Sequence, residues 1–315
     1  MSTTVLAPEA AIHVSPLSAH IGAEISGVDL TQPLPREQVD AIRAALLQWR
    51  VIFFRKQFLS HAQHVAFSAQ FGELTPGHPV FGHVDGYPSI YSISKFRKAT
   101  RFDGQVLQRP WTGWHTDVTA AVNPPFASIL RGVIIPPYGG DTQWTNLVVA
   151  YEKLSAPLRT FVDGLRGIHR FAAPQGTHST DAFDKAVRDR LLVSEHPLVR
   201  VHPETGERAL YVSPGFLKEI AGLAPRESQV LLELLWEHAT RPEFTVRFKW
   251  EPGSIAFWDN RTTAHLAPSD IFDLDFDRQL YRTTLVGDVP LGPDGRPSTA
   301  LDGSPVGAAA AIALN

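Results

Sequence analysis

The chain has 315 residues, enough for one large domain or at most two, and its 43% hydrophobic and 19% charged residues are ordinary for a globular protein. Twenty-nine basic against 32 acidic residues leave a net charge of −3 with no basic run, which argues against nucleic-acid and anionic-membrane partners. Cysteine is absent, so disulfides, thiolate metal sites and cysteine nucleophiles are excluded together, and any metal must be held by His, Asp or Glu.

Residues 1–12 lack the basic start and continuous apolar core of a signal peptide, and no stretch approaches the length of a membrane span. A flexible N-terminus and a cytoplasmic protein are expected. Val39, Ile42, Leu46 and Trp49 recur at helical spacing, and Val51 to Phe54 reads as a buried strand. His61 to Phe71 predicts a second helix. Residues 72–114 and 168–195 are long and irregular, the kind of loop in which substrate lids sit. Short apolar runs at 127–135, 198–201, 210–212, 255–258 and 280–285 predict strands between Gly and Pro turns. Leu231, Leu234, Leu235 and His238 predict a helix opened by Pro225, which a first turn tolerates. Phe244, Val246, Phe248 and Trp250 alternate with Thr245, Arg247 and Lys249, a period of two. From Pro290 the chain has Pro and Gly without apolar periodicity and then an Ala-rich end, which predicts a flexible tail over 290–315. Together these elements predict a mainly β chain with flanking helices. The expected architecture is a double-stranded β-helix (jelly roll, cupin-like) occupying 13–289 as a single domain.

The segment Trp114-His-Thr-Asp-Val118 carries most of the chemistry. In extended backbone, residues i and i+2 point the same way, so His115 and Asp117 converge on one point. A second imidazole would complete two nitrogens and one anionic oxygen on one face of a metal, the ligand choice of non-haem Fe(II) oxygenases. His265 is the best candidate for it. With 13 histidines in the chain, a His-x-Asp triplet alone is close to chance, and its company must decide. Thirteen residues after His265 comes Arg278, then Arg282, and on an extended strand both would share a face with Leu280. Two guanidinium groups side by side repel unless they face anions, so this strand is expected to face a carboxylate or sulfonate. The bland alternative pairs both arginines with Asp273, Asp275 and Asp277 at the surface.

Several motifs in one order resemble the TauD/TfdA family of Fe(II)- and 2-oxoglutarate-dependent dioxygenases. They are Trp-His-Thr-Asp-Val-Thr at 114–119, Gly-Gly-Asp-Thr at 139–142, Trp-Asp-Asn-Arg at 258–261, His265, and the Arg278/Arg282 pair. The resemblance runs from about Ile12 to Pro290. It implies that His115, Asp117 and His265 bind Fe(II) and carry the catalysis, with O2 and 2-oxoglutarate as co-substrates. It further implies that Thr142 and Arg278 hold the distal carboxylate of 2-oxoglutarate. The gap from His265 to Arg278 carries an acidic insert, which leaves open whether Arg278 or Arg282 is the main arginine for that carboxylate. The products implied are succinate, CO2 and a hydroxylated substrate, with cleavage to a heteroatom where the hydroxylated carbon bears one. Retention of Asp117 argues against halogenation, which needs that position free.

For the substrate, His78-Pro-Val-Phe81 is similar to a His-Pro-Val-Tyr segment that contributes to sulfonate binding in the family. His78 and Arg282 would grip an anionic head group, and Phe81, Trp111 and Phe216 would line the pocket. Bulky apolar residues at these positions predict a small anionic organic substrate with an apolar body: a sulfonate, alkyl sulfate or carboxylate. The resemblance also implies a homo-oligomer, dimer or tetramer. Three rivals stand beside this expectation. A jelly-roll binding protein would lack one of these site residues, a metal-dependent hydrolase would lack the Thr142/Arg278 pair, and a biosynthetic hydroxylase or desaturase of an amino acid or secondary metabolite would keep every one.

Overall fold

In the computed structural model, residues 12–78, 82–94, 113–171 and 191–309 are described below. The major sheet has seven strands in the order β1 (His13–Pro16), β2 (Ala23–Ser26), β3 (Val51–Phe54), β13 (Ile255–Asp259), β5 (Ala127–Ile134), β15 (Gln279–Leu285), β4 (Tyr91–Ser94). All its pairings are antiparallel except β2 with β3. Facing it is a three-stranded sheet in the order β12 (Thr245–Phe248), β6 (Thr142–Asn146), β14 (Thr263–Leu266). A four-stranded sheet, β11 (Leu217–Ile220), β7 (Arg166–Arg170), β8 (Val193–Pro197), β16 (Thr299–Asp302), and the hairpin β9 (Val199–Val201) with β10 (Arg208–Leu210) extend the β framework.

The two facing sheets are glued by aromatic side chains, which bury large areas and prefer edge-on or offset contacts. Phe53 of β3 stacks on Phe248 of β12 with centroids 4.0 Å apart, and meets Trp144 of β6 edge-on at 5.4 Å. Trp144 in turn meets Trp258 of β13 at 5.6 Å. This double-sheet core is the expected jelly roll, and its inner faces deliver the site residues.

Helices flank it, three where the periodicity placed them and two more, over residues 147–152 and 156–163, that it did not predict. α1 (Arg36–Trp49) buries Ile42 and Leu46, and α2 (His61–Ala69) starts with a capping box between Ser60 and Gln63. α3 (Leu147–Glu152) is capped by Asn146, α4 (Ala156–Asp163) follows, and α5 (Pro225–Ala239) opens at Pro225 as predicted. Within α5 the apolar spacing overstates burial: Leu235 is enclosed but Leu234 is 47% exposed. Phe244 ends a 3-10 turn, so the alternating strand begins at Thr245.

Within the tail, where no strand was expected, Thr299–Asp302 form β16, which pairs with β8, and Val306 and Ala309 bond to Asn123 and Leu74. All four β16 side chains are exposed, so the strand is made by backbone pairing and leaves no hydrophobic pattern to read. The expectation for residues 1–12 lies, but for Ile12, outside the described residues.

Candidate metal centre

His265 lies on β14 directly opposite Trp144 of β6, so both side chains enter the space between the sheets. His115 runs along the other edge of β14. Its N–H donates to the His265 carbonyl at 2.9 Å, and the His265 N–H donates back at 2.7 Å. Such a doubly bonded antiparallel pair puts both side chains on one face, and the two imidazoles lie 4.1 Å apart. Thr116 turns the other way, its hydroxyl donating to the Thr263 carbonyl at 2.8 Å. Asp117 therefore returns to the His115 side, as the i, i+2 argument requires, although it opens a turn rather than continuing a strand. Val118, next in line, has φ of 50°, a left-handed conformation that a β-branched residue adopts only under constraint.

The three side chains offer one donor atom each, all within 4.8 Å of one another and largely buried. Asp117 Oδ1 lies 3.9 Å from Nε2 of both histidines. The surrounding bonds prepare these atoms. The Gly113 carbonyl, 2.9 Å from His115 Nδ1, takes the ring proton there and leaves the Nε2 lone pair facing the centre. The Ser128 hydroxyl of β5 donates to Asp117 Oδ2 at 2.6 Å, so Oδ1 is the oxygen turned to the histidines. Asn260 Nδ2 donates to Ser128 Oγ and Trp258 Nε1 to Asn260 Oδ1, each at 2.9 Å. Burial alone would raise the Asp117 pKa, but Arg282, the two histidines and Ser128 outweigh it and hold the carboxyl well below its usual range. Burial, with His115 beside it, pushes His265 well down, so its imidazole is neutral as a metal ligand must be. An anionic oxygen and two prepared imidazole nitrogens fit a facial Fe(II) site.

The arginines separate. Arg282 of β15 donates from Nη1 to Asp117 Oδ1 and lies over the Tyr91 ring at 5.4 Å. Arg278, just before β15, has no hydrogen-bond partner for its guanidinium among the described residues, and its buried Nε is unsatisfied. Both are only 7% exposed, and the insert carboxylates do not bond either guanidinium: Asp277 accepts from the Arg278 backbone N–H instead. The surface-pair alternative therefore falls. Burial pushes the Arg278 pKa down to about 10, with Asp270 and Asp141 offsetting part of the effect. Arg247 pairs with both of those carboxylates, at 3.5 and 2.7 Å. Gly140 packs against Arg278 so closely that a Cβ there would stand 2.9 Å from Arg278 Cδ, and its φ of +68° is one glycine tolerates. Thr142, two residues on, is buried and takes a hydrogen bond from Trp250 Nε1 at 2.9 Å. It shares the inner face with Trp144, which opposes His265.

His78 lies 4.8 Å from the Tyr91 ring and 6.4 Å from Phe171, which meets Phe216 at 6.1 Å. A line of aromatic contacts thus joins Arg282 to His78 and Phe216. Phe81 and Trp111 lie outside the described residues. Sequence reasoning assigned no role to Ser128 or Asn260 beside Asp117, nor to Tyr91 beside Arg282 and His78. A usable signal existed for Asn260, which lies in the 258–261 motif: β13 ends at Asp259, and the turn that follows brings Asn260 to the Trp258 indole and the Ser128 hydroxyl. Asp259 and Arg261 form a separate buried ion pair completed by His202 and Glu204.

The taurine catabolism dioxygenase TauD, TfdA family matches residues 13–284. The α-ketoglutarate-dependent sulfate ester dioxygenase of Pseudomonas putida is 41% identical over 294 residues, covering 90% of this chain and 93% of its own length. The alkylsulfatase of Acinetobacter baylyi is 36% identical over 305 residues, 94% of this chain and 91% of its own. A crystal structure of a taurine dioxygenase from Burkholderia xenovorans is 72% identical with a TM-score of 0.80, covering 93% of this chain and 97% of that one. With the buried His-Asp-His cluster already in view, these similarities make the chain a member of the TauD/TfdA family, an Fe(II)-dependent dioxygenase with 2-oxoglutarate and O2 as co-substrates.

Proposed function

We propose that His115, Asp117 and His265 hold the Fe(II) and that Thr142 and Arg278 bind the distal carboxylate of 2-oxoglutarate. In this reading Arg282, His78 and Phe216, with Phe81 and Trp111, receive a monoanionic substrate with an apolar body, a sulfate ester before a sulfonate or carboxylate. The observation that carries the assignment is Arg278: a buried cation that no carboxylate hydrogen-bonds or ion-pairs among the described residues, beside a three-donor metal cluster. A buried charge is stable only when paired, and a keto acid's far carboxylate would pair it. Arg282 is the poorer candidate for that role because Asp117 already engages it.

Bound Fe(II) supplies the activation of O2, with 2-oxoglutarate converted to succinate and CO2 as the substrate is hydroxylated. The chain's own residues do the rest. Gly113 and Ser128 fix which atoms of His115 and Asp117 face the metal. Tyr91, Phe171 and Phe216 keep water from the apolar body of the substrate, while Arg282 and His78 orient its head group. Hydroxylation at the carbon bearing a sulfate oxygen gives a product that collapses with release of sulfate. The names of the 41% and 36% identical relatives point to the same substrate class.

Charge supports a monoanion. Asp117 contributes one negative charge, Arg278 and Arg282 two positive, and Fe(II) two more, leaving three positive charges in a buried site. 2-Oxoglutarate brings two negative charges and a sulfate ester the third. A dianion or a neutral molecule would leave one buried charge uncompensated. The test is succinate release with one alkyl chain presented as a sulfate ester, a phosphate monoester and an uncharged alcohol. The sulfate ester should lead by at least about tenfold in kcat/KM. Equal release with either of the others would refute the reading.

We also propose a single catalytic domain over 13–289, to which the tail is tied. The co-substrate is an intracellular metabolite, which favours the cytoplasm, and no described helix is long and apolar enough to cross a membrane. Exposed Phe161, Val230 and Leu234 on α4 and α5 supply apolar surface for a homodimer or tetramer.

A further inference from the structure

We propose that the C-terminal segment 286–309 is a strap that positions Asp117: through Ser298 and His196 it holds the 117–121 turn in the shape that aims the carboxylate at His115 and His265. The inference rests on Asp117 being a metal ligand. Ser298 and His196 touch neither the metal cluster nor the substrate pocket, so both are positioning residues.

The turn needs holding. A valine at φ 50° persists only where its surroundings over-determine it, and Val118 directly follows Asp117. The turn's internal bond, Ala121 N–H to the Val118 carbonyl at 3.0 Å, is one constraint. A second comes from β7, where His169 Nδ1 lies 2.9 Å from the Thr119 hydroxyl, and the rest from β8, whose side chains take three consecutive carbonyls. His196 Nε2 lies 2.8 Å from the Thr119 carbonyl and 3.1 Å from that of Ala121, and the Ser194 hydroxyl donates to the Ala120 carbonyl at 2.8 Å.

His196 can do this in one tautomer only. Burial pushes its pKa down to about 3, so the ring is neutral and carries one proton. Two carbonyls facing Nε2 require that proton to be there, which leaves Nδ1 as an acceptor. The Ser298 hydroxyl, 2.6 Å from Nδ1, supplies the matching donor, although the Pro290 carbonyl at 3.0 Å competes for it. Ser298 is 7% exposed, so water offers little substitute.

The strap also supports β8 itself. Thr299, Ala300 and Asp302 pair with Glu195, Ser194 and Val193, and without them β8 would be a sheet edge. Past Ser298, Val306 exchanges two bonds with the Asn123 side chain, at 2.8 and 2.9 Å, and so closes the far end of the metal loop. Before it, the chain passes flat against Pro124 and Phe126 at Gly287, where a Cβ would collide with backbone. Arg200 with Asp288 and Arg166 with the Pro297 carbonyl anchor the segment from the opposite side. All of it lies beyond residue 284, where the family match ends.

The test uses the full-length protein, purified metal-free, with Mn(II) affinity measured by calorimetry beside the thermal midpoint. Ser298→Ala should weaken Mn(II) binding by about tenfold, the scale of outer contacts to metal ligands, and Ser298→Thr should return it to within about threefold of wild type. Leu235→Ala, in the core under α5, should lower the midpoint and leave Mn(II) affinity unchanged. Wild-type affinity in Ser298→Ala, no rescue by threonine, or equal weakening in Leu235→Ala would each overturn the strap. Asp117→Ala separates the two ideas. If it too binds Mn(II) like wild type, the ligand assignment is what fails; if it does not bind while Ser298→Ala binds normally, only the strap fails.

Discussion

Replacing Arg278 with methionine should separate stability from co-substrate binding and move them in opposite directions. The side chain is 7% exposed, its guanidinium has no hydrogen-bond partner among the described residues, and burial lowers its pKa to about 10, roughly two to three units below the ordinary arginine value. At about 1.4 kcal/mol per unit, that shift corresponds to a cost on the order of 3 kcal/mol carried by the folded, charged form. The sign is unambiguous: a cation whose folded pKa is depressed destabilises the fold at every pH below the folded value, neutral pH included, and the cost is relieved only as pH rises past about 10. Methionine fills similar length without charge, so the variant should melt on the order of 5–10 °C above wild type, at roughly 2–3 °C per kcal/mol for a large chain. The same substitution removes the cation expected to pair with the keto acid. Losing one partner of a buried charge pair costs about 2–5 kcal/mol, which places the rise in KM for 2-oxoglutarate on the order of a hundredfold or more. Succinate release against 2-oxoglutarate concentration measures the second effect and metal-free melting curves the first. In addition, 2-oxoglutarate should raise the midpoint of the metal-loaded wild type by mass action and leave the variant unmoved. A variant that melts well below wild type while keeping its KM would show that Arg278 is a structural ion-pair residue and that its anion lies within the chain.

The remaining expectations concern the supports around the centre. Ser128→Ala leaves Asp117 Oδ2 without its 2.6 Å donor and frees the carboxylate to rotate, so Mn(II) affinity should fall about 10–100-fold in calorimetry, with little change in the melting point. Arg261→Ala strips the buried Asp259 of its main counter-charge and should cost about 3–5 kcal/mol in urea unfolding, with the KM for 2-oxoglutarate unchanged. Acid should weaken the fold before any carboxylate titrates. His64 and His196 are pushed down to about 3 by burial, so their contribution is complete above their unfolded value of 6.5 and drains away as pH falls toward 3. Well inside that window each contributes a slope of about 1.4 kcal/mol per pH unit, and His196→Asn should flatten the measured dependence of unfolding free energy on pH by that amount.

Much of the framework was legible because hydropathy has a period. The spacing of Val39, Ile42 and Leu46 found α1, and the alternation around Val246 and Phe248 found β12. The His-x-Asp spacing found the first two donors by local geometry, and His265 by its place in a motif. What escaped was whatever depends on register between distant strands. Arg282 reaches Asp117 across 165 residues, and nothing local to either states that contact. Ser128 reads as a polar gap in an apolar run. Its meaning comes from the pairing of β5 with both β13 and β15, which places it opposite Trp258 and Thr284 on the inner face.

The tail shows a different kind of silence. Hydropathy reports where side chains are buried, and β16 buries none, so its sequence is indistinguishable from a loop although its backbone completes the sheet. Ser298 is a small hydroxyl residue in a stretch rich in Pro and Gly, yet its side chain is placed to donate to the nitrogen that a buried imidazole leaves unprotonated. Polar side chains of this sort act through direction and tautomer. Those properties have no periodicity, and they become readable only when donor and acceptor are both in place. The same holds at the metal: Gly113, Ser128 and Asn260 contribute a carbonyl, a hydroxyl and an amide, each common in any sequence, and their value lies in pointing three donor atoms at one spot. In this chain, therefore, residue type and spacing identify the ligands, while the surrounding register determines which atoms of those ligands face the metal.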